Sequence, residues 1–345
     1  MTRPVEQLVT LLRNPTKASE ISGNQWTDIL CVARAELLLA TLAERLKGKI
    51  VPEAVAQIFA DARTECAAIQ QKARWEAQCA VTALAPLGIP PILLKGAAYL
   101  SSGLDAAKGR HIGDLDILVP RDRLDHVEAA LLENGWEWVK EDPYDQAYYR
   151  QWMHELPPLI HRDRDGMIDV HHTILPLTAK PRPDAEAMIE RADDIGDGLK
   201  VLDPHDMLCH CAAHFLADGD MAGGLRNLWD FHLLVSEFCT SERSFGELRE
   251  RAQSHDLWPA IRGTLRLAHD LYGTAWPQDW GAKWSWREAL FRRRLLARNG
   301  WGQETHPPLR FAIYIRSHWL RMPPFMLARH LWIKWRKGAD AERSI

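Results

Sequence analysis

Two aspartates set one residue apart inside an apolar run constrain this chain more than any other feature. The run "IGDLDILV", residues 112–119, carries Asp114 and Asp116 among Ile112, Leu115, Ile117, Leu118 and Val119. So apolar and β-branched a stretch reads as a buried strand, where little water remains to hold two charges. Side chains at i and i+2 of a strand share a face, about 6.5–7 Å apart along it. Asp114 and Asp116 therefore converge, while Leu115 and Ile117 face the core. Carboxylates that close repel and are relieved by a cation between them. Magnesium suits such a place, because it takes one or two carboxylates and completes its shell with substrate phosphates. The plainer alternative is that Asp114 merely caps a turn after Gly113.

A third acid stands in the same kind of setting. Asp169, in "MIDVHH", is flanked by Ile168 and Val170. The segment "LPPLIHRDRDGMIDVHHTI" reads as a hairpin with Asp165-Gly166 at its turn. If the return strand lies beside "DLDILV", three carboxylates line one face. That is enough for two metal ions about 3.5–4 Å apart, the arrangement that clamps both oxygens of an in-line phosphoryl displacement. His171 shares the face of Asp169 and can reach a nucleotide, an acceptor or Asp169 itself. His172 points the other way.

The rest of the chain frames this unit. Residues 1–87 repeat apolar positions at helical spacing, with Pro52 near the start of a long helix that Gly88, Pro90 and Pro91 end. Residues 88–183 alternate short strands ("ILL", "DLDILV", "WEWV", "MIDVHH") with the helix "RDRLDHVEAALLENG". Residues 184–345 read as helical again, with a Trp- and Arg-rich tail. The expected class is α+β: a small mixed β-sheet core with flanking helices, framed by N-terminal and C-terminal helical regions. The net charge of −3 over 345 residues offers no basic field for nucleic acid, so no specific nucleic-acid partner is expected. The six cysteines are scattered, as free thiols of a reducing cytoplasm are. The N-terminus makes a poor signal peptide, and no apolar run reaches membrane-spanning length. The reading is a cytoplasmic protein.

The stretches "LLKGAAYL", "GRHIGDLDILVP" and "IDVHH" together resemble the polymerase β-like nucleotidyltransferase superfamily, and more narrowly its family of uncharacterised nucleotidyltransferases. The resemblance implies a nucleoside triphosphate, magnesium, and transfer of a nucleoside monophosphate with release of pyrophosphate. AMP from ATP is the expected case; the acceptor, a sugar, peptide or protein, stays open. Asp114 and Asp116 match the family's metal-binding pair, and Asp169 its third acid, which binds metal and helps activate the acceptor hydroxyl. Gly96 matches the glycine whose backbone lets the triphosphate approach. The superfamily usually has Gly-Ser where this chain has Gly96-Ala97, so Ala97 brings no hydroxyl to a phosphate. Lys95 and Arg110 are expected to supply those contacts, against the plainer readings of a lysine snorkelling from a strand end and a solvated loop arginine. His171 is expected at the nucleotide.

Other features are read more plainly. "CHCAAH", residues 209–214, lacks the two-pair spacing of a zinc site and reads as buried thiols with packed histidines. Arg226 and His232 fit a short pattern of helical ribonucleases, a weak alternative; Arg226 and Asp230, at i and i+4, can instead pair along their helix. An inactive nucleotide-binding or accessory protein of the same fold is the other alternative. Residues 309–338 are basic, Trp-bearing and free of acids. They suit an amphipathic helix packed on its own domain, or peripheral contact with a membrane surface.

Overall fold

The computed structural model describes residues 3–140, 142–217, 219–281 and 284–321. The N-terminal region is helical: α1 (Pro4–Arg13), α2 (Gly23–Ala35), α3 (Leu39–Arg45) and α4 (Glu53–Leu84). Val5, Leu8, Val9, Leu11 and Leu12 of α1 recur at helical spacing and are all buried. Pro52, which has no N–H to satisfy, stands at the N-cap of the 32-residue α4. Its far end tightens into a 3₁₀ turn and stops at Gly88, whose φ of 65° is left-handed.

The α/β unit follows: β1 (Ile92–Leu93), α5 (Lys95–Ser101), β2 (Leu115–Leu118), α6 (Leu124–Glu133), β3 (Trp136–Trp138), α7 (Pro143–Trp152), β4 (Leu159–His161) and β5 (Met167–His171). Helix α8 (Ala185–Glu190) leads to β6 (Asp193–Gly196) and β7 (Leu199–Val201). The seven strands form one mixed sheet in the order β3-β4-β5-β2-β1-β7-β6. Strand β2 lies at its centre, antiparallel to β1 and parallel to β5. The β4–β5 hairpin forms as expected, with Asp165 at a φ of 51° in its turn.

The sheet differs from the sequence reading beyond residue 183. Instead of passing directly into helices, the chain adds the β6–β7 hairpin, and β7 pairs in parallel with β1. Asp197 and Gly198 turn it with φ of 53° and 74°, the two positive angles of a type I′ turn.

Six helices follow: α9 (Pro204–Ala217), α10 (Gly224–Phe238), α11 (Glu242–Ser254), α12 (Trp258–Tyr272), α13 (Trp286–Leu295) and α14 (Pro307–Arg321). The two helical regions do not merely flank the sheet; they pack on each other. Helix α1 lies against α12, and the buried Glu36 accepts from Leu225 N at 3.1 Å and from Arg298 Nε at 2.7 Å. Among the described residues no helix is long and apolar enough to cross a membrane. The basic segment "RHLWIKWRKG", read as part of a packed amphipathic helix or a peripheral membrane contact, lies outside the described residues.

Candidate active site

Strand pitch and strand pairing assemble the acids. Asp114 ends the loop entering β2 and Asp116 sits two residues on, so both project from one face. Parallel pairing sets Asp116 directly opposite Asp169, so the third acid joins them. One carboxylate oxygen from each of Asp114, Asp116 and Asp169 lies within 4.8 Å of the others. Leu115 and Ile117 face the opposite way and are buried.

A lysine and a histidine close around the central acid. Lys95 Nζ donates to Asp116 Oδ1 at 2.6 Å, and His171 Nε2 lies 3.0 Å from the same oxygen. An ionised carboxylate only accepts, so the proton of this contact is on Nε2. Lys95 is aimed there by a sharp turn: its φ of 48° is left-handed, a conformation that costs a non-glycine residue about 1–2 kcal/mol. Leu94 N, just before it, donates to Asp116 O and ties the turn to β2. The sequence reading allowed His171 to bond Asp169; the structure instead gives that bond to Asp116.

The three acids respond differently to being out of water. Burial pushes Asp116 up, but the Lys95 ammonium and His171 outweigh it and hold the carboxyl well below the ordinary range. Burial and the Asp116 charge leave Asp114 raised. For Asp169, burial followed by Asp116, Glu155 and Asp114 pushes the carboxyl up to about 7. Asp169 Oδ1 is buried without a hydrogen-bond partner, although a buried acceptor ordinarily has one. The donor set thus fits a hard divalent cation: oxygens only, strongly negative, and short of partners on the inner side. Lys72, Glu76, His111, Asp114 and Met167 border a recess of about 230 Å³ that opens beside the first acid.

Gly96 and Arg110 belong together. A Cβ on Gly96 would fall 2.1 Å from Arg110 Nη1, so the glycine makes room for the guanidinium. Arg110 Nε donates to Asp230 Oδ2 at 2.7 Å, Nη1 donates to His111 O, and the guanidinium lies over Tyr99. It is thus neither a solvated loop cation nor freely exposed in a cleft. Asp230 also accepts from Arg226 Nη1 at 3.2 Å, the pair expected along α10. Arg226 continues to Leu37 O, Gly109 O and the Thr41 hydroxyl, and so fastens α10 to the loop before Arg110. Ala97 is buried in the first turn of α5.

Several plainer readings hold and one alternative falls. His232 bonds Thr274 Oγ1 at 2.8 Å, and burial with Arg45 and Arg13 lowers it to about 4. Arg226 is buried among the partners just named, so the two do not form a ribonuclease-like acid–base pair. Among the described residues Cys209, His210, Cys211 and His214 are in no group able to hold a metal. Burial pushes the Cys211 thiol up to about 12, and burial with the nearby Lys95 ammonium keeps His210 neutral. Burial likewise lowers His172 to about 4. Sequence reasoning missed His154 and Glu155. No strand or helix pattern marks "HELPP", and only the backbone pairing of Glu155 with His171 brings it to the site.

Residues 22–273 match the model of a family described as uncharacterised nucleotidyltransferase, and the chain belongs to that family. It is therefore a nucleotidyltransferase. No curated protein matches the chain.

Proposed function

We propose that this nucleotidyltransferase uses magnesium to transfer AMP from ATP to a hydroxyl of a sugar, peptide or protein, releasing pyrophosphate. The observation that carries the reading is the convergence of Asp114, Asp116 and Asp169, with a buried oxygen of Asp169 left unpartnered. In this reading the three acids hold two magnesium ions, which when bound supply charge neutralisation for the attacking and leaving oxygens. The acceptor oxygen forms its bond to the α-phosphorus, and the bond from that phosphorus to the pyrophosphate oxygen breaks. The acceptor proton passes to Asp169.

The surrounding residues take supporting parts in the same reading. Lys95 neutralises Asp116 before substrate arrives, and its flexible stem then turns the ammonium to the triphosphate. Gly96 and Ala97 offer backbone to the phosphates, with no hydroxyl. Arg110, held by Asp230, keeps a fixed positive charge beneath that loop. His171 orients Asp116. We take residues 88–183 together with β6 and β7 as the catalytic unit, between helices that brace it. The six free thiols suit a cytoplasmic location.

ATP binding with and without metal tests this directly. ATP with magnesium should raise the melting temperature, since a ligand at 100 times its Kd adds about 2.7 kcal/mol of stability. ATP with EDTA should do so far less. Equal shifts in both buffers would overturn the three-acid site.

A further inference from the structure

A second donor group abuts the three acids, with its His171 touching Asp116. His154, Glu155 and His171 bring one ligand atom each to within 4.8 Å of one another. The backbone builds this group. Residues 154–156 run antiparallel to the end of β5: Leu156 N donates to Val170 O, His172 N to His154 O, and Glu155 pairs opposite His171. Directly opposed residues of antiparallel strands have Cβ atoms about 4.5–5.5 Å apart. The ring of His154, next to Glu155 in the chain, also lies near that of His171, with centroids 5.1 Å apart.

The contacts of His171 decide what this group can do. Its Nε2 is engaged by Asp116 at 3.0 Å, which leaves Nδ1 as the ring position turned to the second group. Nδ1 is buried, has no hydrogen-bond partner, and lies 3.5 Å from Glu155 Oε2. Nδ1 and the Glu155 carboxylate thus converge, without a hydrogen bond, on a point where a cation can lie between them. A histidine whose far nitrogen donates to a carboxylate is also how metal-ligating histidines are commonly held and made more basic. His154 and Glu155 are partly exposed, so an ion can enter from solvent.

We propose that His154, Glu155 and His171 form a binding site for one divalent transition ion of the zinc or cobalt kind, separate from the magnesium acids. Two imidazoles with one carboxylate select such ions over magnesium, which prefers an all-oxygen shell. At zinc–ligand bonds of about 2.0–2.2 Å the donors must close by roughly an ångström, within reach of side-chain rotation. The ion fixes His171 and, through it, Asp116, so the site braces the acid that Lys95 also holds. This site does not depend on the transferase reading and can be present without it.

Cobalt(II) titration of the full-length, chelator-stripped protein in excess magnesium tests the site. Visible absorption reports imidazole-bound cobalt of low coordination, and native mass spectrometry reports stoichiometry. We expect intense absorption that saturates at one equivalent. His154→Ala should abolish it or weaken affinity at least about tenfold. Asp116→Asn, by removing the carboxylate behind His171, should weaken it about 10–100-fold, whereas Asp114→Asn should keep it. Should His154→Ala fail to fold by circular dichroism, His154→Gln takes its place. Absence of the band in the wild type overturns the proposal, and so does its survival in the His154 variant. Loss in Asp114→Asn with retention in the His154 variant would assign the ion to the three acids instead. A doubly protonated His171 ring by NMR at neutral pH, with no cobalt uptake, would show a proton in that place.

Discussion

Asp206 on α9 and Asp169 on β5 are both acids taken largely out of water, and the molecule treats them in opposite ways. Asp206 is fully buried. Arg191 Nε donates to its Oδ2 at 3.0 Å, Arg251 lies 2.8 Å from the same oxygen, and His255 Nε2 lies 3.0 Å from Oδ1. Burial pushes this carboxyl up, but hydrogen bonds from His255, Arg191 and Arg251 outweigh it and leave it lowered. Asp169 meets burial plus three further carboxylates and rises to about 7, with Oδ1 unpartnered. Similar burial therefore gives shifts of opposite sign, and what differs is the supply of donors. A buried acid with all its partners is a structural joint; one left short of partners is a place for a ligand.

Four substitutions break or sharpen that contrast. The largest effect is expected from Asp116→Asn, which should cut pyrophosphate release by about a thousandfold or more, ~4 kcal/mol of transition-state stabilisation. Because Lys95 and His171 both rest on Asp116, this variant should also be somewhat less stable. Retained transfer would place Asp116 with Asp206 as a joint.

Next is Asp206→Ala, expected to cost about 3 kcal/mol in urea unfolding. That is the lower end for breaking a buried pair, because Arg191 and Arg251 keep some contact with water. Transfer per folded molecule should not change. The pH dependence has a definite sign. The folded pKa of Asp206 lies below the unfolded value of about 3.9, so its contribution is complete above that value and disappears as pH falls through the folded pKa. The gap between wild type and variant should therefore close in acid.

Gly96→Ala comes third. The new Cβ would meet Arg110 Nη1 at 2.1 Å, and Asp230 prevents that guanidinium from simply yielding. Overpacking of this kind costs about 1–3 kcal/mol. If the clash with a held Arg110 is the cause, the cost in an Asp230→Ala background should be smaller, and a double-mutant cycle measures the difference.

The last substitution acts in the opposite direction and is the sharpest test of the comparison. In EDTA, Asp169→Asn should be more stable than wild type, the reverse of Asp206. A carboxyl raised to about 7 in the fold but near 3.9 unfolded favours the folded state while protonated. That stability is lost as pH rises from about 4 through 7. The wild-type decline over this window should be missing in the variant, and magnesium should close the gap at pH 7. A decline of equal size in both proteins would mean that Asp169 is already neutralised by a partner.

Much of the candidate site, though nothing of the Asp206 joint, was legible in advance, for reasons that differ by residue. Asp114, Asp116 and Asp169 stood out because charge breaks an apolar strand pattern whose period is two. The β4–β5 hairpin showed through its Asp165-Gly166 turn. The β6–β7 hairpin carries the same signal at Asp197-Gly198, but "DDIG" and "LKV" are too short and polar to read as strands beside it. His171 was placed on the right face, but its contact with Asp116 was not among the partners expected, because facing says nothing about which neighbour lies closest. Arg110 was read as a phosphate contact, or more plainly as a solvated loop cation, and its pairing with Asp230 went unseen because that partner is 120 residues away. Glu155 had no pattern at all.

Local sequence determines what depends on a few consecutive residues. It set the convergence of Asp114 and Asp116, the ends of α4 at Pro52 and Gly88, and the turn residues of the hairpins, because strand pitch and allowed backbone angles act over that range. The tertiary structure alone decided what crosses the chain. It chose the parallel register that sets Asp116 against Asp169, the turn that brings Lys95 onto Asp116, and the reach of α10 to hold Arg110 over Gly96. Periodicity specifies a face. Which residues meet across it depends on how whole elements pack, and packing is settled by the sum of many distant contacts.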